Sequence, residues 1–302
     1  MKKDFLTIAD LSRDEARRLL ARAAEWKALR GDPGAPQPLR GKTVAMIFLK
    51  SSTRTRVSFE VGIRELGGYP LFITAEGSQL GRGEPIKDTA RVLSRYVHGI
   101  VIRTGAHAEV EELAQWAAVP VINGLTDSFH PCQVLADLFT LREQGILKPG
   151  LKVAFIGDGG NNMVQSWINA AMLFDLKLAV ASPKAYRPDP ALVKAAGENL
   201  SLLTDPKQAA RGADVLYTDV WISMGQEKEK AKRRKAFRGY QINDGLIAAA
   251  RPGVRVMHCL PAHRGEEISE SALEGPHAVV FDQAENRLHV QKAILEALLG
   301  GP

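Results

Sequence analysis

Short apolar runs alternate with helical patterns along almost the whole of this 302-residue chain. Runs at 43–49, 71–74, 98–103 and 120–125 read as strands, with helices expected at 57–66, 85–95, 109–117 and 134–144. An earlier helix opens at the capping box Ser12-Arg13-Asp14-Glu15 and carries Ala16, Leu19, Leu20 and Ala23 on one face. Gly145 to Gly150 is the best linker, and the alternation restarts after it. Strands are expected at 151–156, 176–181, 200–204, 214–219, 254–259 and 278–282, and helices at 161–174, 190–198, 206–211, 243–250 and 284–299. Parallel neighbours need a crossover, usually a helix, so this pattern dictates an α/β fold. Two domains are expected, 1–147 and 148–302, each a mostly parallel sheet flanked by helices. Ligands in such folds sit beyond the carboxyl ends of the strands, which is where chemistry should be sought.

The turn after the first strand is Ser51-Ser52-Thr53-Arg54-Thr55-Arg56. A helix start presents unpaired N–H groups and a partial positive charge, and so favours an anion. Ser52, Thr53 and Thr55 add neutral donors, and Arg54 can grip two oxygens of a phosphate or carboxylate. Ordinary capping explains one hydroxyl, not three beside two arginines. Arg103 ends the strand 98–103, and His130-Pro131-Cys132-Gln133 follows the strand 120–125. Both fall where a second and third set of donors could reach the same anion.

Gly157-Asp158-Gly159-Gly160-Asn161-Asn162 lies between a strand and a helix, so a dinucleotide site has to be weighed. Asn162 stands where the fingerprint wants glycine, and no carboxylate follows about 20 residues on. Both features argue against NAD. Asp219, after the strand 214–219, could pair with a cationic substrate group. His258-Cys259-Leu260-Pro261 ends the strand 254–259; with no CxxC pair or HExxH to complete a ligand set, no metal is expected there.

The net charge of +6 fits a nucleic-acid binder or a protein for small anions. The densest basic run, Lys228 to Arg238, contains one aromatic residue, so it lacks a base-stacking platform and reads as a solvated helix or loop. No apolar run approaches the roughly 18 residues of a membrane span, and no secretory signal follows Met1 to Phe5. Cys132 and Cys259 read as free thiols in a reducing cytoplasm rather than as a disulfide framework.

Taken together, Ser-Thr-Arg-Thr-Arg at 52–56 and His-Pro-x-Gln at 130–133 resemble the carbamoyl phosphate signature of the transcarbamoylase family. Asp-x-x-x-Ser-Met-Gly at 219–225 and His-Cys-Leu-Pro at 258–261 resemble its ornithine-using branch, and the resemblance covers the whole chain. It implies transfer of a carbamoyl group from carbamoyl phosphate to the δ-amine of L-ornithine, giving citrulline, within arginine biosynthesis. It implies a carbamoyl phosphate-binding first domain, an ornithine-binding second domain, and a last helix packing back on the first. It also implies a homotrimer or a multiple of trimers in the cytoplasm, without cofactor, metal, nucleic acid or membrane.

By the same resemblance, carbamoyl phosphate would meet Ser52, Thr53, Arg54, Thr55, Arg103, His130, Gln133, Cys259, Leu260, Arg287 and a neighbouring subunit's Gln79. Ornithine would meet Asn162, Asp219, Ser223 and Met224, and the catalytic set would be Arg54, Arg103, His130 and Cys259. A sister enzyme using putrescine or acetylornithine is the alternative. A regulatory nucleic-acid binder would leave the strand-end clusters without a purpose.

Overall fold

The computed structural model describes residues 3–76, 79, 83–222 and 227–301. In chain order its elements begin with α1 (Arg13–Ala28), β1 (Thr43–Phe48), α2 (Thr53–Glu65), β2 (Tyr69–Thr74) and α3 (Ile86–Leu93). They continue with β3 (Gly99–Arg103), α4 (His107–Trp116), β4 (Val121–Leu125) and α5 (Pro131–Glu143). Next come β5 (Lys152–Ile156), α6 (Asn162–Phe174), β6 (Lys177–Ala181), α7 (Pro190–Ala196), β7 (Leu200–Leu203), α8 (Pro206–Ala210) and β8 (Val215–Thr218). The last are α9 (Lys230–Ala236), α10 (Asp244–Ala249), β9 (Arg255–His258), α11 (Glu270–Glu274) and α12 (Val280–Leu299). Two compact units emerge, one of residues 1–139 with 285–302 and the other of 140–284.

The first unit is built on a four-stranded parallel sheet in the order β2-β1-β3-β4. Val44, Ala45, Met46, Ile47 and Phe48 of β1 are all buried, because helices cover both faces of a parallel sheet. On one face Ala45, Ile47, Ile100 and Ile102 pack with Val110 and Leu113 of α4. Helix α1 is fixed at its start by reciprocal bonds: Ser12 N–H donates to Glu15 at 2.8 Å, and Glu15 N–H donates to Ser12 Oγ at 3.3 Å. The chain steps from β1 outward to β2 and then back across to β3, so the switch point lies between β1 and β3. That is where the Ser51–Arg56 turn and Arg103 stand.

The second unit repeats the principle with five parallel strands in the order β7-β6-β5-β8-β9. Its switch point lies between β5 and β8, beside Gly157–Asn162 and Asp219. Ala154, Ile156, Leu216 and Val256 pack on one side against Leu246, Ile268 and Leu273.

The two-sheet α/β expectation holds, with local corrections. Helix α2 starts at Thr53, not Val57, with Ser52 as its cap. The run 278–282 is not a strand: Ala278 makes one bridge to Val256, and α12 begins at Val280. The short helix α11 has no counterpart among the expected elements.

Candidate active site

In the first unit, Ser52 caps α2 by accepting from Thr55 N–H at 3.2 Å, so the hydroxyls and Arg54 occupy the first helical turn. Thr53 is exposed, Ser52 and Arg54 are half-buried, and Thr55 is buried. Arg56 instead lies over the Phe72 ring, 3.8 Å from its centre. Gly124 on β4 makes room for this packing: a Cβ there would stand 3.2 Å from the Ile102 carbonyl oxygen and 3.5 Å from Thr55 Cγ2.

Arg287 ties the cluster together. Only 3% exposed, it donates to Thr55 Oγ1 and Gln133 Oε1, and its Nη1 lies 3.4 Å from His130 Nε2. A guanidinium only donates, so His130 Nε2 offers its lone pair and the imidazole proton sits on Nδ1. Burial pushes the His130 pKa well below its ordinary value, and the charges of Arg287, Arg103 and Arg54 push it the same way. His130 is therefore neutral at neutral pH, and it senses the expected strand-end Arg103, Arg54 of the helix start and Arg287 of the last helix. Gln79 is exposed, its backbone carbonyl taken by Glu84 N–H at 3.0 Å.

The second unit gathers groups of the opposite kind. Asp219 follows β8 and is 9% exposed. Its Oδ1 accepts from Val220 N–H at 2.8 Å and from the Cys259 thiol at 3.1 Å, and its Oδ2 accepts from Asn161 Nδ2 at 3.4 Å. Asn161 also caps α6, accepting from Val164 N–H at 2.9 Å. The expected Asn162 is the first residue of α6 and half-buried. Ser223 and Met224 lie outside the described residues.

Leu260 has φ +58°, the left-handed region that a branched side chain rarely enters. Its N–H donates to His258 Nδ1 at 2.8 Å, while His258 Nε2 lies 3.0 Å from Glu267 Oε1. The Nδ1 lone pair is thus used, and the Nε2 proton goes to the carboxylate. Asp219, His258 and Cys259 place one candidate metal-ligand atom each within 4.8 Å of one another. With both ring nitrogens engaged, His258 lacks the lone pair a metal requires.

The charged segment departs from expectation. Arg233, read as part of a solvated face, is 4% exposed. It pairs with Asp158, donates to the Trp221 carbonyl at 2.6 Å, and lies 4.8 Å from the Tyr186 ring centre and 5.4 Å from that of Phe237. Asp158 in turn accepts from Gly160 N–H at 3.0 Å, so Arg233 sets the loop that leads to Asn161. Burial raises the Asp158 pKa above its ordinary value, and Arg233 opposes that rise. Gly159 is boxed in as well: a Cβ there would stand 2.7 Å from the Tyr186 carbonyl and 2.8 Å from Ser182 Oγ. Glycine is therefore required at 159 by close packing against the Tyr186 backbone and the Ser182 side chain.

Two family profiles match the chain. Residues 3–143 match the aspartate/ornithine carbamoyltransferase carbamoyl-P binding domain, and residues 149–298 match the Asp/Orn binding domain of the same family. The chain belongs to the aspartate/ornithine carbamoyltransferase family. A relative from Syntrophotalea carbinolica named ornithine carbamoyltransferase is 57% identical, over 99% of this chain and 100% of its own. The solved ornithine carbamoyltransferase from Pyrococcus furiosus superposes with a TM-score of 0.94 at 48% identity, covering 99% of this chain and 97% of its own. An anabolic ornithine carbamoyltransferase from Campylobacter jejuni gives 0.91 at 42% identity, covering 98% of both chains. In this carbamoyltransferase, Asn161, Asp158 and Arg233 are the structural additions to the expected set. Only Asn161 left a local signal, as an amide at the strand end.

Proposed function

We propose that the chain transfers the carbamoyl group of carbamoyl phosphate to the δ-amine of L-ornithine, releasing citrulline and phosphate. The observation that carries the acceptor assignment is the Asp219 cluster, a carboxylate held by Asn161 and Cys259 at the switch point of the second sheet. Such a group suits the ammonium of an amino acid, as the donors of the first unit suit a phosphate.

In this reading Ser52, Thr53, Arg54, Thr55 and Arg103 hold the phosphate. Arg103, Thr55 and His130 lie near the carbonyl oxygen, which gains charge as the amine attacks, and donors aimed there are usually the largest catalytic term. Neutral His130 has a single N–H to give. The amine's lone pair forms the new C–N bond, and the C–O bond to phosphate then breaks with its electrons leaving on phosphate. The proton lost by the amine leaves with the phosphate. Cys259 orients the amine rather than taking its proton, because the thiol hydrogen already faces Asp219. Gln133 and Leu260 hold the carbamoyl nitrogen, while Asn162, Ser223 and Met224 join Asp219 on ornithine's α-carbon groups. The reaction as written calls for no cofactor.

A citrulline assay with ornithine, putrescine and aspartate as acceptors tests this, with ornithine expected to win by a wide margin. Equal turnover of putrescine, or a preference for aspartate, overturns it. The working assembly in this proposal is a cytoplasmic trimer or multiple of trimers, with Gln79 serving a neighbour's site. Mixing Gln79→Ala chains with Arg54→Ala chains, each first shown to be impaired, should then restore activity. Mixed trimers no more active than the average of their parents would remove Gln79 from the site. Among the described residues no helix is long and apolar enough to cross a membrane.

A further inference from the structure

Gln133 is fully buried near the start of α5, and the two ends of its amide meet groups of opposite kind. Nε2 donates to Asp137 Oδ1 at 2.9 Å, one helical turn further on, and Oε1 accepts from Arg287 Nη1. A carboxylate only accepts and a guanidinium only donates, so the amide has a single allowed orientation. Asp137 is itself 0% exposed, and its side chain has no evident purpose on the surface or in binding an anion. A carbonyl oxygen carries two lone pairs, so one N–H from Arg287 does not saturate Gln133 Oε1.

We propose that Asp137 is a positioning residue: by taking the Gln133 N–H, it fixes Oε1 as the acceptor presented to the donor substrate and makes the unit select a carbamoyl over an acetyl group. This rests on the reading that carbamoyl phosphate binds the Thr55–His130–Arg287 cluster. The two phosphates have nearly the same shape and differ in an NH2 against a CH3. The NH2 donates to the second lone pair of Oε1, whereas the methyl leaves that lone pair unused beside the Arg287 bond, and a lost bond of that kind amounts to about tenfold or more in affinity. With Asp137 removed, the buried NH2 of Gln133 lacks its acceptor, the amide is held at its oxygen end alone, Oε1 is no longer fixed toward the substrate, and the distinction fades.

The test is calorimetric titration of the full-length protein with carbamoyl phosphate and with acetyl phosphate. Wild type should prefer carbamoyl phosphate by about tenfold or more, and Asp137→Ala should bring the ratio to within about threefold. Asp137→Asn keeps a carbonyl acceptor of the same size and should recover most of the preference. Should melting show that Asp137→Ala does not fold, Asp137→Leu fills the volume, accepts no bond and carries the same comparison. Equal weakening of both ligands in the variant, with the ratio kept, would mean a structural role and would overturn the inference. So would a wild type that binds both phosphates equally. A wild type that binds no carbamoyl phosphate would bring down the proposed function itself, so the two failures read differently.

Discussion

In the first unit the groups beyond the sheet's switch point are hydroxyls, guanidiniums and a neutral imidazole, whereas in the second they centre on a carboxylate and a thiol. The backbone frames are alike, each a parallel sheet whose order reverses beside a helix start. Frame therefore decides where chemistry occurs, and the loop residues decide its sign. Buried guanidiniums sharpen the contrast. Arg287 donates to Thr55 and Gln133 and approaches His130, all three uncharged. Arg233 faces Asp158 and closes an internal pair. The same side chain gathers neutral groups in one unit and locks onto a carboxylate in the other.

Exchanging the damage between units should give the largest effects. Arg54→Ala removes a charged fork worth about 1.5–3 kcal/mol per bond, so kcat/KM should fall by at least about a hundredfold while the melting temperature holds. Asp219→Asn keeps size and removes charge, and breaking a buried pair from one side costs about 3–5 kcal/mol. Ornithine use should therefore fall more than about a hundredfold, while calorimetric binding of carbamoyl phosphate stays within a few-fold. Activity within tenfold of wild type for Arg54→Ala would make the anchor structural. Parallel loss of both ligands in Asp219→Asn would erase the division of labour between the units.

Arg233→Met should act on stability first, because it strands buried Asp158. A loss of about 3–5 kcal/mol in urea unfolding is expected, with part of it recovered by adding Asp158→Asn. No recovery in the double variant would show that the aromatic contacts of Arg233, not its charge pair, carry the energy.

The smallest effect concerns pH. His130 has a folded pKa below its unfolded value of 6.5, so its stabilising contribution is complete above 6.5 and is lost as pH falls toward the folded value. His107 and His289, in the same unit, are lowered as well, chiefly by burial. Asp158 in the second unit is raised and works in the opposite sense. The urea midpoint should decline from pH 7 to 5.5, and His130→Asn should flatten the slope by up to about 1.4 kcal/mol per pH unit. An unchanged slope would mean that His130 is solvated after all.

Most of the fold could be read locally because parallel strands are continuous apolar runs, and Pro, Gly and capping residues punctuate them. The exception, 278–282, shows the limit of that signal. Ala278-Val279-Val280-Phe281 suits a strand or a buried helix start equally, and only Val279 and Val280 packing at the head of α12 decides it. The strand-end motifs were legible because chemistry needs particular side chains in short order. Arg233 was not, since its carboxylate lies 75 residues away and a charge run looks the same whether wet or buried. The bond from Arg287 to Thr55, across 232 residues, is equally invisible to local reading.

Leu260 joins two demands that usually compete. Its left-handed backbone costs about 1–3 kcal/mol, and it is held there by the His258 ring, the Glu267 carboxylate behind it and its own side chain packed on the second core. Glycine would relieve the torsion and, in the same step, remove the side chain packed on the second core. Relief of backbone strain and loss of packing therefore pull this position in opposite directions, and if Leu260 meets the donor substrate as proposed, a substitution chosen for its melting point alone would be read first in turnover.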